Sequence, residues 1–247
     1  TGTARRIFTG GVVPPGADTI LIQENAERAG DRIRVVEAAE PDRHIRRRGQ
    51  DFSTGDVVLA AGRRLGARDL GLAVALGHGR LPVRRRPRVA IAGTGNELVA
   101  PGLRTSPAQV PNSNAVAIAA AVAGFGGEPH DLGIIRDRGE DLADLAARAQ
   151  GYDLLVTTGG ASVGDHDLVR SGLGAAGLEI DFWKIAMRPG KPLLFGRLGD
   201  VPVLGLPGNP VSALVCTLLF VRAAVARLAG AAAAPLPLEA AELATPL

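Results

Sequence analysis

From Arg88 to Leu228 the chain alternates strand and helix signals, and this alternation limits its fold more than any other feature of the sequence. Residues 89–92 are a short apolar run ending at Gly93-Thr94-Gly95, which predicts a buried strand. Residues 114–123 are alanine-rich and follow Asn112-Ser113, residues suited to a helix N-cap. A strand over 132–135, an amphipathic helix over 140–150 and a strand over 153–157 come next, the last running into Gly159-Gly160. A helix is predicted over 167–176 and strands over 180–185, 192–195 and 201–204. Asn209-Pro210 then opens a helix to about residue 228, with Asn at the N-cap and Pro at N1. Elements in this order fold as a three-layer α/β unit, an open and mostly parallel sheet covered on both faces. Functional loops in such a sheet gather at the carboxyl ends of the strands.

The first 86 residues read differently. Pro14-Pro15-Gly16-Ala17-Asp18 is a turn, strands are predicted over 19–22, 32–36 and 56–60, and a short helix over 65–76 is closed by Gly77. Arg84-Arg85-Arg86-Pro87 marks a boundary. The expected organisation is a smaller β-rich domain over 1–86, the α/β domain over 87–229, and an Ala/Pro-rich tail over 230–247 that is a linker or the start of a further domain. Charge follows the same division: residues 1–86 hold 16 arginines against 10 acids, and residues 87–247 hold 12 basic residues against 15 acids. A chain without an initiator Met, opening close to strand-like sequence, is read as a fragment of a longer protein.

Several classes of function are disfavoured. One cysteine excludes an intrachain disulfide and a Cys-rich zinc site, and four scattered histidines give no paired metal-ligand spacing. Cys216, inside an apolar helix, reads as a small buried residue. The longest strongly apolar run, 211–221, stops at Arg222, short of the ~20 residues of a membrane span. No signal sequence opens the chain, so the expected compartment is cytoplasmic, with no membrane partner. The arginine runs at 46–48 and 84–88 are not interleaved with aromatics, which total 3%, so they read as solvated or interface faces and no nucleic acid is expected.

Four loops carry candidate chemistry. Thr157-Thr158-Gly159-Gly160-Ala161-Ser162-Val163-Gly164-Asp165 lies between a strand and a helix, where glycine amides and a helix N-terminus suit a phosphate or another oxyanion; a ligand-free tight turn is the alternative. Asp165 and Asp167 flank His166 at that helix start, either as ligands of Mg²⁺ or as plain N-caps. Trp183-Lys184-Ile185-Ala186-Met187-Arg188-Pro189-Gly190-Lys191 places three cations in eight residues and contains the only two lysines of the chain. Such a loop can surround a polyanion, or it is a solvated turn. Gly205-Leu206-Pro207-Gly208-Asn209-Pro210 sits at a strand end before a helix, a second anion position. Thr94-Gly95-Asn96-Glu97 ends the first strand of the unit and puts Glu97 at the same sheet edge. Loops converging on one edge argue for a binding site more strongly than any loop alone.

Together these segments resemble the molybdopterin molybdenumtransferase family (MoeA and the gephyrin E domain). The resemblance rests on Thr94-Gly95-Asn96-Glu97, Gly159-Gly160-Ala161-Ser162-Val163-Gly164, Phe182-Trp183-Lys184, Pro189-Gly190-Lys191-Pro192 and Gly205-Leu206-Pro207-Gly208-Asn209-Pro210-Val211-Ser212. Ile7-Phe8-Thr9-Gly10 and Ile45-Arg46-Arg47-Arg48-Gly49-Gln50-Asp51 agree with it, so that it spans about residues 5–228 in order. The family's N-terminal Asp-rich segment and its C-terminal β domain lie outside the matching residues.

The resemblance implies insertion of molybdate into adenylylated molybdopterin with release of AMP, assisted by Mg²⁺. By motif, Glu97, Asp137, Asp167, Lys184 and Lys191 are the implied catalytic residues, with Asp167 and Glu97 on the metal. Thr94, Gly159, Gly160, Ser162, Gly164, Arg188, Pro207, Gly208, Asn209 and Pro210 are the implied substrate-binding residues. Thr9 and Asp51 join them from the other domain, in family dimers from the partner subunit. Arg188 stands where the family usually has lysine, and Asn96 and Asn112 stand where aspartates are commoner. A homodimer and an adenylyltransferase that supplies the substrate are the implied partners. A module of the same fold that binds molybdopterin without chemistry is the alternative.

Overall fold

In the computed structural model the described residues are 2–103, 106–159, 168–232 and 239–240, with side chains left out of account at 168–170. The chain forms two compact units, Thr1–Ala60 and Ala61–Leu247. In the first, β1 (Ala26–Ala29) and β2 (Arg32–Val35) form an antiparallel hairpin over Gly30-Asp31, closed by an ion pair between Arg34 and Glu27. The strands expected over 19–22 and 56–60 do not form. Both segments are extended or turn-like, with no ladder among the described residues. A strand exists only through a partner, and local pattern does not supply one. The β-rich expectation is thus met by one hairpin in this unit. The expected helix is α1 (Ala67–Ala75), and it belongs to the second unit. At its start the Gly66 amide donates to Asp69, and nearby the Ala232 amide donates to the Gly62 carbonyl, tying this segment to the far end of the unit.

The second unit is built on six strands. They are β3 (Arg88–Thr94), β6 (Glu128–Ile135), β7 (Leu154–Thr158), β8 (Leu178–Trp183), β9 (Leu194–Leu198) and β10 (Val201–Leu206). A separate two-residue pairing joins β4 (Leu98–Val99) to β5 (Val110–Pro111). The sheet order is β6-β3-β7-β10-β9-β8, and every neighbouring pair is parallel except those made by β9. This is the mostly parallel α/β sheet that the alternation requires.

Alternate residues of the central strands face opposite layers. Val89, Ile91, Leu154, Val156, Leu204 and Leu206 pack with Ala115, Ile118 and Val122 of α2 (Ser113–Phe125) and with Cys216, Val221 and Val225 of α5 (Pro210–Leu228). Ala90, Ala92, Leu155 and Val203 pack with Leu142, Leu145, Ala146 and Ala149 of α3 (Gly139–Ala149) and with Leu173 of α4 (Leu168–Ala175). β3, β7 and β10 are buried along almost their whole length, as expected for parallel strands covered on both faces. The helix α5 runs past Arg222 with a π turn over Thr217–Val221. Its length and composition would suffice to cross a membrane. The expectation that no segment reaches that length counted only the uncharged run. Here α5 lies on the sheet with one face buried.

Each fully buried branched side chain contributes about 1.5–3 kcal/mol of apolar burial. Leu155 has no exposed surface and sits in the layer under α3 and α4. Leu155→Ala is expected to lower stability by about 2–5 kcal/mol. A fall in the urea midpoint with unchanged slope checks this.

Candidate functional site

The strand order places β3 and β7 side by side, and their outgoing helices, α2 and α4, lie on opposite faces of the sheet. That divergence opens a crevice at the carboxyl ends of the two strands. Gly159, just past β7, is the closest point of approach. Its φ is +94°, and a Cβ there would stand 2.2 Å from the Thr94 carbonyl oxygen. Only glycine fits both the dihedral and the space. Beside it Thr94 is fully buried, and its hydroxyl lies 3.4 Å from the Thr158 carbonyl.

A small open cavity occupies this crevice. It is lined by Thr94, Glu97, Leu98, Val110, Pro111, Asn112, Ser113, Asn114, Thr158, Gly159, Gly208 and Pro210. Two helices begin on it. The Asn112 side chain caps α2 by accepting from the Ala115 amide, and Asn209 caps α5 by accepting from the Ser212 amide at 3.1 Å. Each helix start presents amides without intrahelical partners and the positive end of its dipole, which favours an anion.

Asn114 ties the two starts together. Its Nδ2 donates to the Thr158 hydroxyl at 3.0 Å and to the Gly208 carbonyl at 2.9 Å, and the Thr158 hydroxyl donates to the Pro207 carbonyl at 3.2 Å. Sequence reading treats Asn114 only as a helix residue, and names Thr158 within the Gly-rich loop without giving its hydroxyl a role. The available signal was a second amide side chain two residues after the N-cap Asn112, facing a loop from another strand.

Acidic groups gather on the β3 side. The Glu97 carboxylate folds back over Gly95, where a Cβ would lie 2.5 Å from either of its oxygens. Asp137 follows β6, with its amide donating to the Asn96 side chain at 3.3 Å. Burial pushes the Asp137 carboxyl above its ordinary value, and the nearby Glu97 charge adds to this. The Asn96 amide and Arg136 oppose the shift. These two carboxylates form an oxygen-only donor pair suited to a hard dication such as Mg²⁺. Among the described residues no group of three or more His, Cys, Asp or Glu side chains converges. Asp167, Gly160, Ser162 and Gly164 lie outside the described residues.

The cationic loop stands elsewhere on the same edge. It joins β8 to β9, the two strands beyond β10, and so lies roughly 5–10 Å from β10 at the usual strand spacing. Lys184 has a left-handed backbone with φ +73°, and its ammonium sits over the Trp183 ring, 3.7 Å from the centroid. The loop is closed by the Ile185 amide donating to the Lys191 carbonyl and the Lys184 amide donating to the Leu193 carbonyl, both at 2.9 Å. Arg188 and Lys191 are exposed, and Gly190 is buried against Met187 and Cys216. Burial raises the Cys216 thiol, consistent with a packing role. The structure therefore gathers Thr94, Glu97, Gly159, Gly208 and Pro210 around one cavity, with Pro207 and Asn209 in the adjoining loop, and leaves Lys184, Arg188 and Lys191 along the edge. Thr9 and Asp51 belong to the first unit, Thr9 in an exposed turn and Asp51 paired with Arg46.

Known proteins are similar to this chain in sequence and fold. Residues 90–227 match the family model described as "Probable molybdopterin binding domain", and residues 1–77 match the model described as "MoeA N-terminal region (domain I and II)". A protein named molybdopterin molybdenumtransferase 2 from Mycobacterium tuberculosis is 39% identical over 229 residues, covering 89% of this chain and 56% of the relative. Molybdopterin molybdenumtransferase from Haemophilus influenzae is 38% identical over 231 residues, covering 92% and 57%. A crystal structure of the molybdopterin biosynthesis MoeA protein from Pyrococcus horikoshii superposes with a TM-score of 0.72 at 28% identity, over 92% of this chain and 55% of that one. The chain spans little more than half the length of these relatives.

Two outcomes follow from the geometry. Asn114→Ala removes two hydrogen bonds and leaves the Gly208 carbonyl without this donor, so a loss of about 1–2 kcal/mol in a urea melt is expected. Glu97→Gln is expected to lower the Asp137 midpoint towards 3.8, as read by carboxyl NMR titration. The sign is fixed by linkage: a raised folded-state value means that the folded protein holds this proton more tightly, and that stability is lost as pH rises from 3.8 through the folded value. In the variant that loss is smaller.

Proposed function

We propose a molybdenum-inserting role for this chain, which belongs to the family of molybdopterin-binding domains and carries the MoeA N-terminal region ahead of it. In this reading the protein transfers molybdenum from molybdate into the dithiolene of adenylylated molybdopterin, cleaves the phosphoanhydride and releases AMP in the cytoplasm. It works as a homodimer fed by an adenylyltransferase. The observation that carries the reading is the crevice between β3 and β7, where two helix N-termini and the Glu97 carboxylate face one cavity, with Asp137 near Glu97.

Each group has a task that its chemistry allows. The amides at the starts of α2 and α5 receive phosphate oxygens, with Gly159 and Gly208 allowing the backbone to come close. Thr94 and Thr158 line the floor. Glu97 and Asp137, joined by Asp167, would hold Mg²⁺, which would supply charge neutralisation at the phosphoanhydride. Lys184, Arg188 and Lys191 stand along the edge where the remainder of a long anionic substrate lies. Asn96 and Asn112, in place of commoner aspartates, lower the negative charge around that path.

The test uses the full-length protein, molybdate, Mg²⁺ and adenylylated molybdopterin, with AMP release as the readout. Lys191→Ala and Asp167→Ala are each expected to slow release by about 10²–10³-fold, typical of a lost contact to developing charge, with folding near intact. Substrate binding is expected to survive Asp167→Ala better than Lys191→Ala, because Lys191 touches the ligand and Asp167 acts through the metal. Wild-type release in both variants would favour a non-catalytic molybdopterin-binding module.

A further inference from the structure

Arg136 performs a task that neither the sequence motifs nor the reading above assigns. It is the first residue after β6, half-buried, next to Asp137. A single nitrogen of its guanidinium, Nη1, shares its two N–H donors among three backbone carbonyls of the segment that carries Glu97: Gly95 at 3.3 Å, Asn96 at 2.9 Å and Leu98 at 3.1 Å. Three carbonyl oxygens turned towards one point repel each other unless a cation sits among them. The same segment is held from its other side by β5, where the Val110 amide donates to the Glu97 carbonyl at 2.9 Å.

We infer that Arg136 is a positioning residue, a built-in cation that gathers the carbonyls of Gly95, Asn96 and Leu98 and so fixes the Glu97 carboxylate beside Asp137. The inference rests on the reading of Glu97 and Asp137 as site residues, and it adds the element that sets their spacing. Three observations support it independently of any ligand. The contacts run to the backbone on both sides of Glu97, so they fix the loop's course whatever its side chains do. The Asn96 side chain returns the link by accepting from the Asp137 amide, which makes a closed exchange between the ends of β3 and β6. The Gly95 amide donates to the Ile135 carbonyl at 3.1 Å, so the residue immediately before Arg136 holds the start of the same loop. A positive charge placed here also offsets part of the repulsion between the two carboxylates.

The chemistry makes a specific demand. One nitrogen makes all three contacts, so a lysine ammonium, with three donors, can replace it, whereas an uncharged side chain of similar length cannot. The experiment compares Arg136→Lys and Arg136→Met in the full-length protein, by AMP-release kinetics and by amide hydrogen exchange. For Arg136→Met, kcat is expected to fall by roughly 10²-fold, the effect of an ångström-scale misplacement, with KM for the pterin substrate unchanged within about twofold. Arg136→Lys is expected to stay within about threefold of wild type. In Arg136→Met the Gly95 and Asp137 amides should exchange at least ~10-fold faster, while the Leu155 amide in the central strand keeps its protection. Equal losses in both variants would overturn the single-nitrogen account. Unchanged exchange at Gly95 and Asp137, or a general loss of protection that includes Leu155, would overturn the positioning role, and this readout decides it even in a protein that inserts no molybdenum.

Discussion

Two parallel strands, β3 and β7, end side by side, and what lies between them is the carbonyl of Thr94 facing the bare α-carbon of Gly159. Any side chain at Gly159 would force the strands apart or turn the loop away. The approach is possible because both strands are buried on two faces and held in register from Val89 opposite Leu154 to Gly93 opposite Thr158. The helices leaving the two strands go to opposite faces, and their divergence opens a gap above this contact. The crevice is therefore a product of topology, and its floor is made of backbone and threonine hydroxyls.

The polar layout above that floor follows from where chains enter and leave. α2 and α5 start at the crevice because both follow strands that end there, and Asn114 links them through Thr158 and Gly208. The acidic residues come from the loops after β3 and β6, on one side, while the lysines come from the turn after β8, on the other. Negative and positive groups are separated along the sheet edge, with amide-rich helix starts between them. An extended ligand with a charged middle and a metal-seeking group at one end suits such an edge better than a compact one.

Much of this was legible in the sequence, for physical reasons. The central strands announce themselves because burial on both faces demands continuous apolar runs, and Asn209-Pro210 and Asn112-Ser113 announce helix starts through their capping chemistry. Glu97, Gly159, Gly208 and Pro210 were all placed at the correct edge by that reading. The strands expected over 19–22 and 56–60 failed because pairing is decided by distant residues that local pattern does not reveal. The roles of Asn114 and Arg136 were hidden for the same reason: each acts on groups at least 38 residues away in sequence. The full length of α5 was read correctly from Asn209-Pro210 to about residue 228; only the test for a membrane-length segment fell short, because Arg222 interrupts the apolar run without interrupting the helix.

The central claim is that the edge between β3, β7 and β10 holds the phosphate end of the ligand. A crystal structure of the full-length protein with AMP tests it most directly. The account predicts density for the phosphate against the amides at the starts of α2 and α5, within hydrogen-bond reach of the Gly208–Ser212 backbone. AMP bound only at the arginine run of residues 46–48, with that edge empty, would contradict it.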